Sequence, residues 1–299
     1  MTESPDPRQW PHVATGLTYR RAILELAEHL GCEPAEEAVL ERRLAAEPAA
    51  WASALLRATG VEWLLVDEGY PPAETSFGWR ELGELAGCAV RPILRLETHE
   101  RPAEEAASAR ERSYAAIKTI AAYRGGLERL PDVVLAALEA NEATGAPLPV
   151  QVHSGFGDSD LLLQRADPSY LKPVLEHFSD TTFVLLHCWP FVREAGWLAH
   201  VYPNVYLDLG LTIPHVSRPA EALREALELA PVSKLLYSSD AVAPELSFLA
   251  SRWWRAALAE VRGEALAEDE AESAARAILR ENALGLYGLT TPLPSSPSA

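Results

Sequence analysis

The chain reads as an α/β protein of the (β/α)8, or TIM-type, barrel class with seven strands in view, and three observations lead there. Seven short apolar runs alternate with amphipathic segments at a spacing of about 30 residues, the length of a strand plus its crossover helix. The runs are continuously apolar rather than alternating, as strands covered on both faces are. Polar groups stand at or just past the end of every run: Asp67 and Glu68, Arg95 and Glu97, Lys118, His153, His187, Asp208 and Asp240. An open doubly wound sheet gathers its ligand groups at one switch point, whereas a barrel brings all its strand ends to one mouth, so this distribution favours closure. Neither GxGxxG nor GxxxxGK[ST] occurs to support a nucleotide-binding sheet.

In chain order, residues 1–16 are polar, proline-containing and aperiodic, and are expected to form an arm. A helical segment, 17–60, comes next. Residues 19–30 put Ile23, Leu26, Ala27 and Leu30 on one face and stop at Gly31; 34–46 open on Pro34; 49–59 place Trp51 and Leu55 four apart and stop at Gly60. The βα units fill 61–289, with strands expected at 61–66, 90–96, 115–118, 148–153, 182–187, 205–209 and 234–238. Helices are expected at 131–144, ending at Gly145; at 218–230, after Ser217 as N-cap; at 244–262, ending at Gly263; and at 268–282. Residues 290–299, rich in Pro and Ser, read as a disordered tail.

Composition narrows the partners. With 299 residues and 48% hydrophobic content the chain can bury a full core as one large barrel domain, 17–289. A formal charge of −17 repels phosphate on average, which argues against nucleic acid and anionic membranes and for a small-molecule substrate, with self-association left open. Cys32, Cys88 and Cys188 are odd in number and far apart, so they form neither a disulfide framework nor a zinc knuckle. The first residues, Met1-Thr2-Glu3-Ser4-Pro5-Asp6, do not resemble a signal peptide and no long apolar span occurs, so a cytoplasmic protein is expected.

The chemistry concentrates at the strand ends. Imidazole and carboxylate together bind zinc or manganese with an open position for water, whose pKa the metal lowers. His153 and Asp240 are the best ligand candidates, Asp240 doubling as general base; His187 is a third ligand or a catalytic acid/base. A lone histidine at one strand end is as often a satisfied core residue, and it is the repetition of the pattern that favours a site. Lys118 is one of only three lysines and ends an apolar run, so it must be paired, neutral or modified: either a salt bridge to a carboxylate such as Glu68 or a member of the site. Tyr123 and Arg124 lie a few residues beyond it. Arg124, with Arg95, could grip a substrate carboxylate through a planar guanidinium. His12, His29, His99, His177, His200 and His215 read as surface residues.

The runs Gln151-Val152-His153-Ser154-Gly155-Phe156-Gly157-Asp158, Leu186-His187-Cys188-Trp189-Pro190-Phe191, Tyr202-Pro203-Asn204-Val205-Tyr206-Leu207-Asp208 and Tyr237-Ser238-Ser239-Asp240-Ala241 together resemble the amidohydrolase superfamily. The nearest branch is the amidohydrolase-type domain fused in some proteins to a glutamine-synthetase-like module, whose closing motif resembles Glu281-Asn282-Ala283 through Leu286-Tyr287-Gly288-Leu289. The resemblance spans residues 16–289. It implies a metal-dependent hydrolase, or less often a decarboxylase, and the leading expectation is a hydrolase of C–N (amide-type) bonds acting on a small polar, carboxylate-bearing substrate. Its implied divalent-metal ligands, for Zn or else Mn, are His153, His187 and Asp240, with Lys118 where some members carry a carboxylated lysine. A barrel kept for binding or assembly is the non-enzymatic alternative.

The chain departs from the superfamily at its start. The superfamily opens with a His-x-His pair on its first strand, and this sequence has no His-x-His. The first visible strand resembles the second of the family. An in-frame strand ending in His-x-His is therefore expected upstream of Met1, and the 299-residue chain is expected to hold metal weakly, to self-associate and to show little activity.

Overall fold

The computed structural model describes residues 3–71, 76–261, 263–264 and 267–290. Seven parallel strands, β1 (Trp63–Asp67), β2 (Ala89–Arg95), β3 (Ala116–Thr119), β4 (Val150–Ser154), β5 (Phe183–His187), β6 (Val205–Asp208) and β7 (Leu235–Leu236), pair in sequence order. They curl into a barrel short of one strand, with helices outside, as the spacing of the apolar runs requires. Register puts strand ends level with one another: Arg95 lies opposite Lys118, and Ser154 opposite His187. The tail beyond residue 290 and the helix end expected at 262 lie outside the described residues.

Each strand divides its side chains between two cores. Leu94, Ile117, Val152, Leu185, Leu207 and Leu235 pack outward with the helices, whereas Ile93, Ala116, Val184, Leu186 and Leu236 face a separate cluster with Tyr287 and Leu289. At about 25 cal/mol per Å2 of apolar surface, this double burial is the main stabilisation and explains the unbroken apolar runs. The last helices therefore plug the barrel's base from within. Gln151 Nε2 donates to the Tyr287 hydroxyl at 2.9 Å, fixing the plug to β4.

Among the described residues no strand joins β7 to β1, and β1 is only half-buried along its length, as an edge is. The gap is bridged at its base by the C-terminal segment. The Tyr237 backbone N–H donates to the Ile278 carbonyl, Asn282 Nδ2 donates to the Val232 and Leu235 carbonyls, and on the other side Arg280 pairs with Glu62 and Trp63 Nε1 donates to the Thr290 carbonyl. The gap is thus not left wholly open, because the helix expected over 268–282 is α-helical only over Glu268–Arg276, widens into a π turn at Ala277–Glu281 and resumes at Asn282–Leu286. A π turn re-aims the chain beyond it, here toward the barrel.

The N-terminal helices run Leu17–Leu30, Glu36–Ala45 and Pro48–Ala58, close to the expected bounds. Gly31 takes φ +62° to end the first of them, a conformation that suits a residue without Cβ. One expected cap is corrected: the helix after β6 runs Pro219–Leu227 with Arg218, not Ser217, as N-cap, because Pro219 supplies the preset first turn.

Candidate metal and hydrolase site

Four strand ends bring their side chains into one mouth. The rings of His153 and His187 stand 4.8 Å apart, the ring of Tyr123 stands 4.7 Å from that of His153, and Asp240 Oδ2 lies 3.6 Å from His187 Nε2. Lys118 Nζ reaches Asp240 Oδ1 at 3.9 Å. The backbone is strained where it delivers these groups: His187, Cys188 and Asp240 have φ of +67°, +67° and +47°. Left-handed non-glycine residues of this kind cost on the order of 1–3 kcal/mol each and persist where surrounding bonds impose them. Here Asp208 Oδ1 accepts the backbone N–H of His187 (2.8 Å) and of Gly210 (3.0 Å), while Thr212 Oγ1 donates to the His187 carbonyl at 2.6 Å. Asp208 therefore holds the turn that aims His187.

Backbone contacts set the two histidines in opposite protonation patterns. The Leu211 N–H donates to His187 Nδ1 at 3.1 Å, so that nitrogen offers its lone pair and the neutral ring carries its proton on Nε2, facing Asp240. The backbone of Phe156 accepts from the His153 ring, while His153 Nε2 is buried without a partner, so the bonded nitrogen is Nδ1 and Nε2 is a bare lone pair. Burial, then the proximity of His187 and Lys118, holds the His153 pKa well below the usual histidine range, keeping that lone pair free of a proton. Burial raises the pKa of Asp240, but His187, Lys118, His153 and Arg95 together outweigh it and bring it to about 2. The Asp240 side chain is still 34% exposed, so solvent screens much of this attraction.

Lys118 is paired, as one of its two expected readings required, but its partner is Asp67 at 3.0 Å and not Glu68, which lies against the Tyr114 hydroxyl. Arg95 grips the same Asp67 through Nε and Nη2 at 3.0 and 2.5 Å. An ammonium lodged between Asp67 and Asp240 is a counter-ion, which sets Lys118 apart from the ligand set implied by the resemblance. Arg124 is exposed, and its Nη1 donates to the Tyr123 carbonyl. Burial pushes the Tyr123 hydroxyl pKa up, so it stays protonated; it accepts the Asp158 N–H at 3.1 Å.

Among the described residues no three His, Cys, Asp or Glu side chains form a group that could hold a metal ion. The orphaned Nε2 of His153 and the ionised Asp240 nonetheless fit a divalent cation as a pair of donors. His187 does not add a third in this tautomer, since its Nε2 bears hydrogen. Sequence reasoning passed over Asp67 as a partner and set His215 aside as a surface histidine, yet that side chain is only 12% exposed. Its position soon after β6, beside apolar Ile213 and Pro214, was the available signal.

A parallel barrel with imidazole and carboxylate at its strand ends defines a class of metal-assisted hydrolases. The amidohydrolase family model matches residues 88–289, and the chain belongs to that family. Over 169 residues the chain is 43% identical to protein fluG of Emericella nidulans, a match covering 53% of this chain and 19% of that protein, so the chain spans about a fifth of that relative. A proposed metal-dependent hydrolase from Lactobacillus casei has a similar structure, with a TM-score of 0.84 at 26% identity, over 96% of this chain and 88% of that one. A uronate isomerase from Bacillus halodurans shares the fold at 15% identity, with a TM-score of 0.67 over 92% and 77% of the two chains. No helix among the described residues is long and apolar enough to cross a membrane.

Proposed function

We propose that the chain is a hydrolase of C–N, amide-type, bonds in small polar substrates that carry a carboxylate. The observation that carries this reading is the opposed pair of imidazoles: a bare, buried Nε2 on His153 and an Nε2–H on His187, both beside an ionised Asp240. A divalent ion, Zn or Mn, held by His153 and Asp240 would supply Lewis-acid activation of water or of a carbonyl. Asp240 is ionised throughout the neutral range and is placed to accept a proton from attacking water. His187 would donate its Nε2–H as a hydrogen bond to the substrate carbonyl oxygen while keeping the proton, and Asp240, 3.6 Å away, would pass the proton taken from water to the departing nitrogen. Lys118 keeps Asp240 charged from its other oxygen. Arg95 and Lys118 stand side by side in register at the mouth, where Asp67 and Asp240 balance their charge.

The test is hydrolysis of a panel of amides and γ-glutamyl compounds with added Zn or Mn, comparing the wild type with Asp240→Asn and His187→Gln. Each substitution is expected to lower kcat/KM by at least about a hundredfold. Activity that survives Asp240→Asn removes Asp240 from the proton path, and hydrolysis equally fast on amides without a carboxylate removes the substrate class.

A further inference from the structure

The arm of residues 3–16 does not simply trail from the barrel. It starts from His215, whose carbonyl accepts from Thr18 Oγ1 at 3.1 Å, and it returns to the same residue, where Glu3 Oε1 lies 3.2 Å from His215 Nε2. Between these contacts Asp6 caps the 3-10 turn Pro7–Gln9, and a recess of about 180 Å3 remains beside His215, lined by Val13, Gly16, Leu17, Thr18 and Tyr19. Glu3 thereby enters the mouth: it shares a hydrogen bond with Asp158, whose backbone N–H is bonded to the Tyr123 hydroxyl, and Tyr123 touches His153.

His215 holds the Glu3 carboxyl below its ordinary range, against the opposing effects of burial and of the nearby Asp240. Burial together with Glu3 in turn pushes the Asp158 pKa up to about 6. His215 Nδ1 lies 2.8 Å from the Leu211 carbonyl, which can only accept, so Nδ1 carries a hydrogen, and Nε2 can bind a carboxylate only in the imidazolium, where it carries a hydrogen as well. Glu3 comes within ion-pairing distance but off hydrogen-bonding alignment, and Nε2 has no other partner. The imidazole is further walled by Phe156, edge-on at 5.9 Å, which packs on Trp189. Meanwhile Arg95 and Arg124, the cations first expected to receive a substrate carboxylate, are engaged with Asp67 and with the Tyr123 carbonyl.

We propose that His215 is the carboxylate-binding residue of the mouth and that Glu3 occupies its subsite from within the same chain, as an imperfect stand-in that a small carboxylate ligand displaces. The proposal deepens, and rests on, the carboxylate-bearing substrate class given above. A ligand that must displace Glu3 binds with an affinity reduced by the fraction of molecules whose arm is open. Removing the Glu3 charge removes that competition while leaving His215 in place.

The experiment is titration of the full chain with glutarate, monitored by calorimetry and by the His215 ring resonances, in wild type, Glu3→Gln, Glu3→Gln/His215→Gln and the exposed charge control Glu41→Gln. Glu3→Gln should bind glutarate at least about fivefold more tightly than wild type, Glu41→Gln should match wild type, and the double variant should lose the gain. The ring signals of His215 should shift on titration in Glu3→Gln, a readout that stands even if the double variant folds poorly. Glutarate affinity unchanged or weakened in Glu3→Gln, or a gain that persists without His215, overturns the proposal. Because binding is read without turnover, its failure is distinct from the failure of the hydrolase reading, which is judged on amides with and without a carboxylate.

Discussion

Asp67 is shared by two cations, Lys118 and Arg95, and replacing it with asparagine tests whether the mouth is organised around that triad. Its Oδ2 lies 2.5 Å from Arg95 Nη2 and 3.0 Å from Lys118 Nζ, while Oδ1 accepts the Gly69 N–H at 2.9 Å. The Asp67 and Lys118 side chains are 14% and 8% exposed, so solvent cannot take over from a lost partner. At an effective dielectric of about 20, each charge contact near 3 Å is worth roughly 5 kcal/mol before desolvation is subtracted. Removing one partner of such a buried pair costs about 3–5 kcal/mol, mostly the penalty of the stranded charge. Asp67→Asn strands two, and a loss of about 3–5 kcal/mol is expected in urea unfolding, read from the midpoint at unchanged slope. Adding Lys118→Met should recover part of it, since one stranded ammonium is then gone. A loss below about 1 kcal/mol, or strict additivity of the two substitutions, refutes the reasoning. The sign with pH comes from the pKa. Burial raises it, but Lys118 and Arg95 outweigh burial and hold Asp67 below its ordinary value. The stabilisation is therefore complete above the unfolded value of about 3.9 and is lost as pH falls through the lower folded value. Acid titration of stability below pH ~4 should be flatter in Asp67→Asn than in wild type.

Other consequences are simpler to check. In metal titrations of the apo chain, His153→Gln should weaken Zn or Mn binding by more than about tenfold, whereas His187→Gln should change it by less than about threefold, because only the first imidazole presents a lone pair. A Cβ on Gly157 would overlap the Tyr123 hydroxyl and come within 3.2 Å of His153 Nε2; since Tyr123 can swing, Gly157→Ala should cost little in thermal unfolding yet lower kcat/KM by about a hundredfold. Tyr287→Phe removes the bond that ties the C-terminal plug to Gln151 and should destabilise the fold by about 1–2 kcal/mol, measured in urea.

What could be read from the sequence was what repeats along it. Val184, Leu185 and Leu186 form an unbroken apolar run because β5 is buried on both faces, and the polar residue that ends such a run, His187, must emerge at the mouth. His153, Lys118 and Asp240 could be named on the same ground. Partners could not, because they depend on which strand ends closure brings side by side: Asp67 and Lys118 are separated by a whole βα unit and β2, and only the register that sets Arg95 against Lys118 makes one triad of the three. The tautomers were hidden for a similar reason. Nothing in the identity of His153 and His187 distinguishes them; the Phe156 backbone accepting from one ring and the Leu211 N–H donating to the other do so, and both are loop backbone groups with no sequence signature.

The arm was read as a loop because it lacks the period of a strand or helix, and the residues beyond the last expected helix stood only as a closing motif with no place assigned in the barrel. Yet Tyr287 is buried in the barrel's base and Glu3 reaches its mouth. A barrel short of a strand between β7 and β1 has an interior that its own strands cannot fill, so space and unpaired groups remain at both ends for segments of low periodicity to occupy. At the base the occupant is apolar and hydrogen-bonded through Gln151, which stabilises the fold. At the mouth the occupant is a carboxylate set against other carboxylates and one imidazole. Equal geometric need has thus been met by opposite chemistry, apolar at the base and carboxylate at the mouth, where packing alone would have selected an apolar side chain.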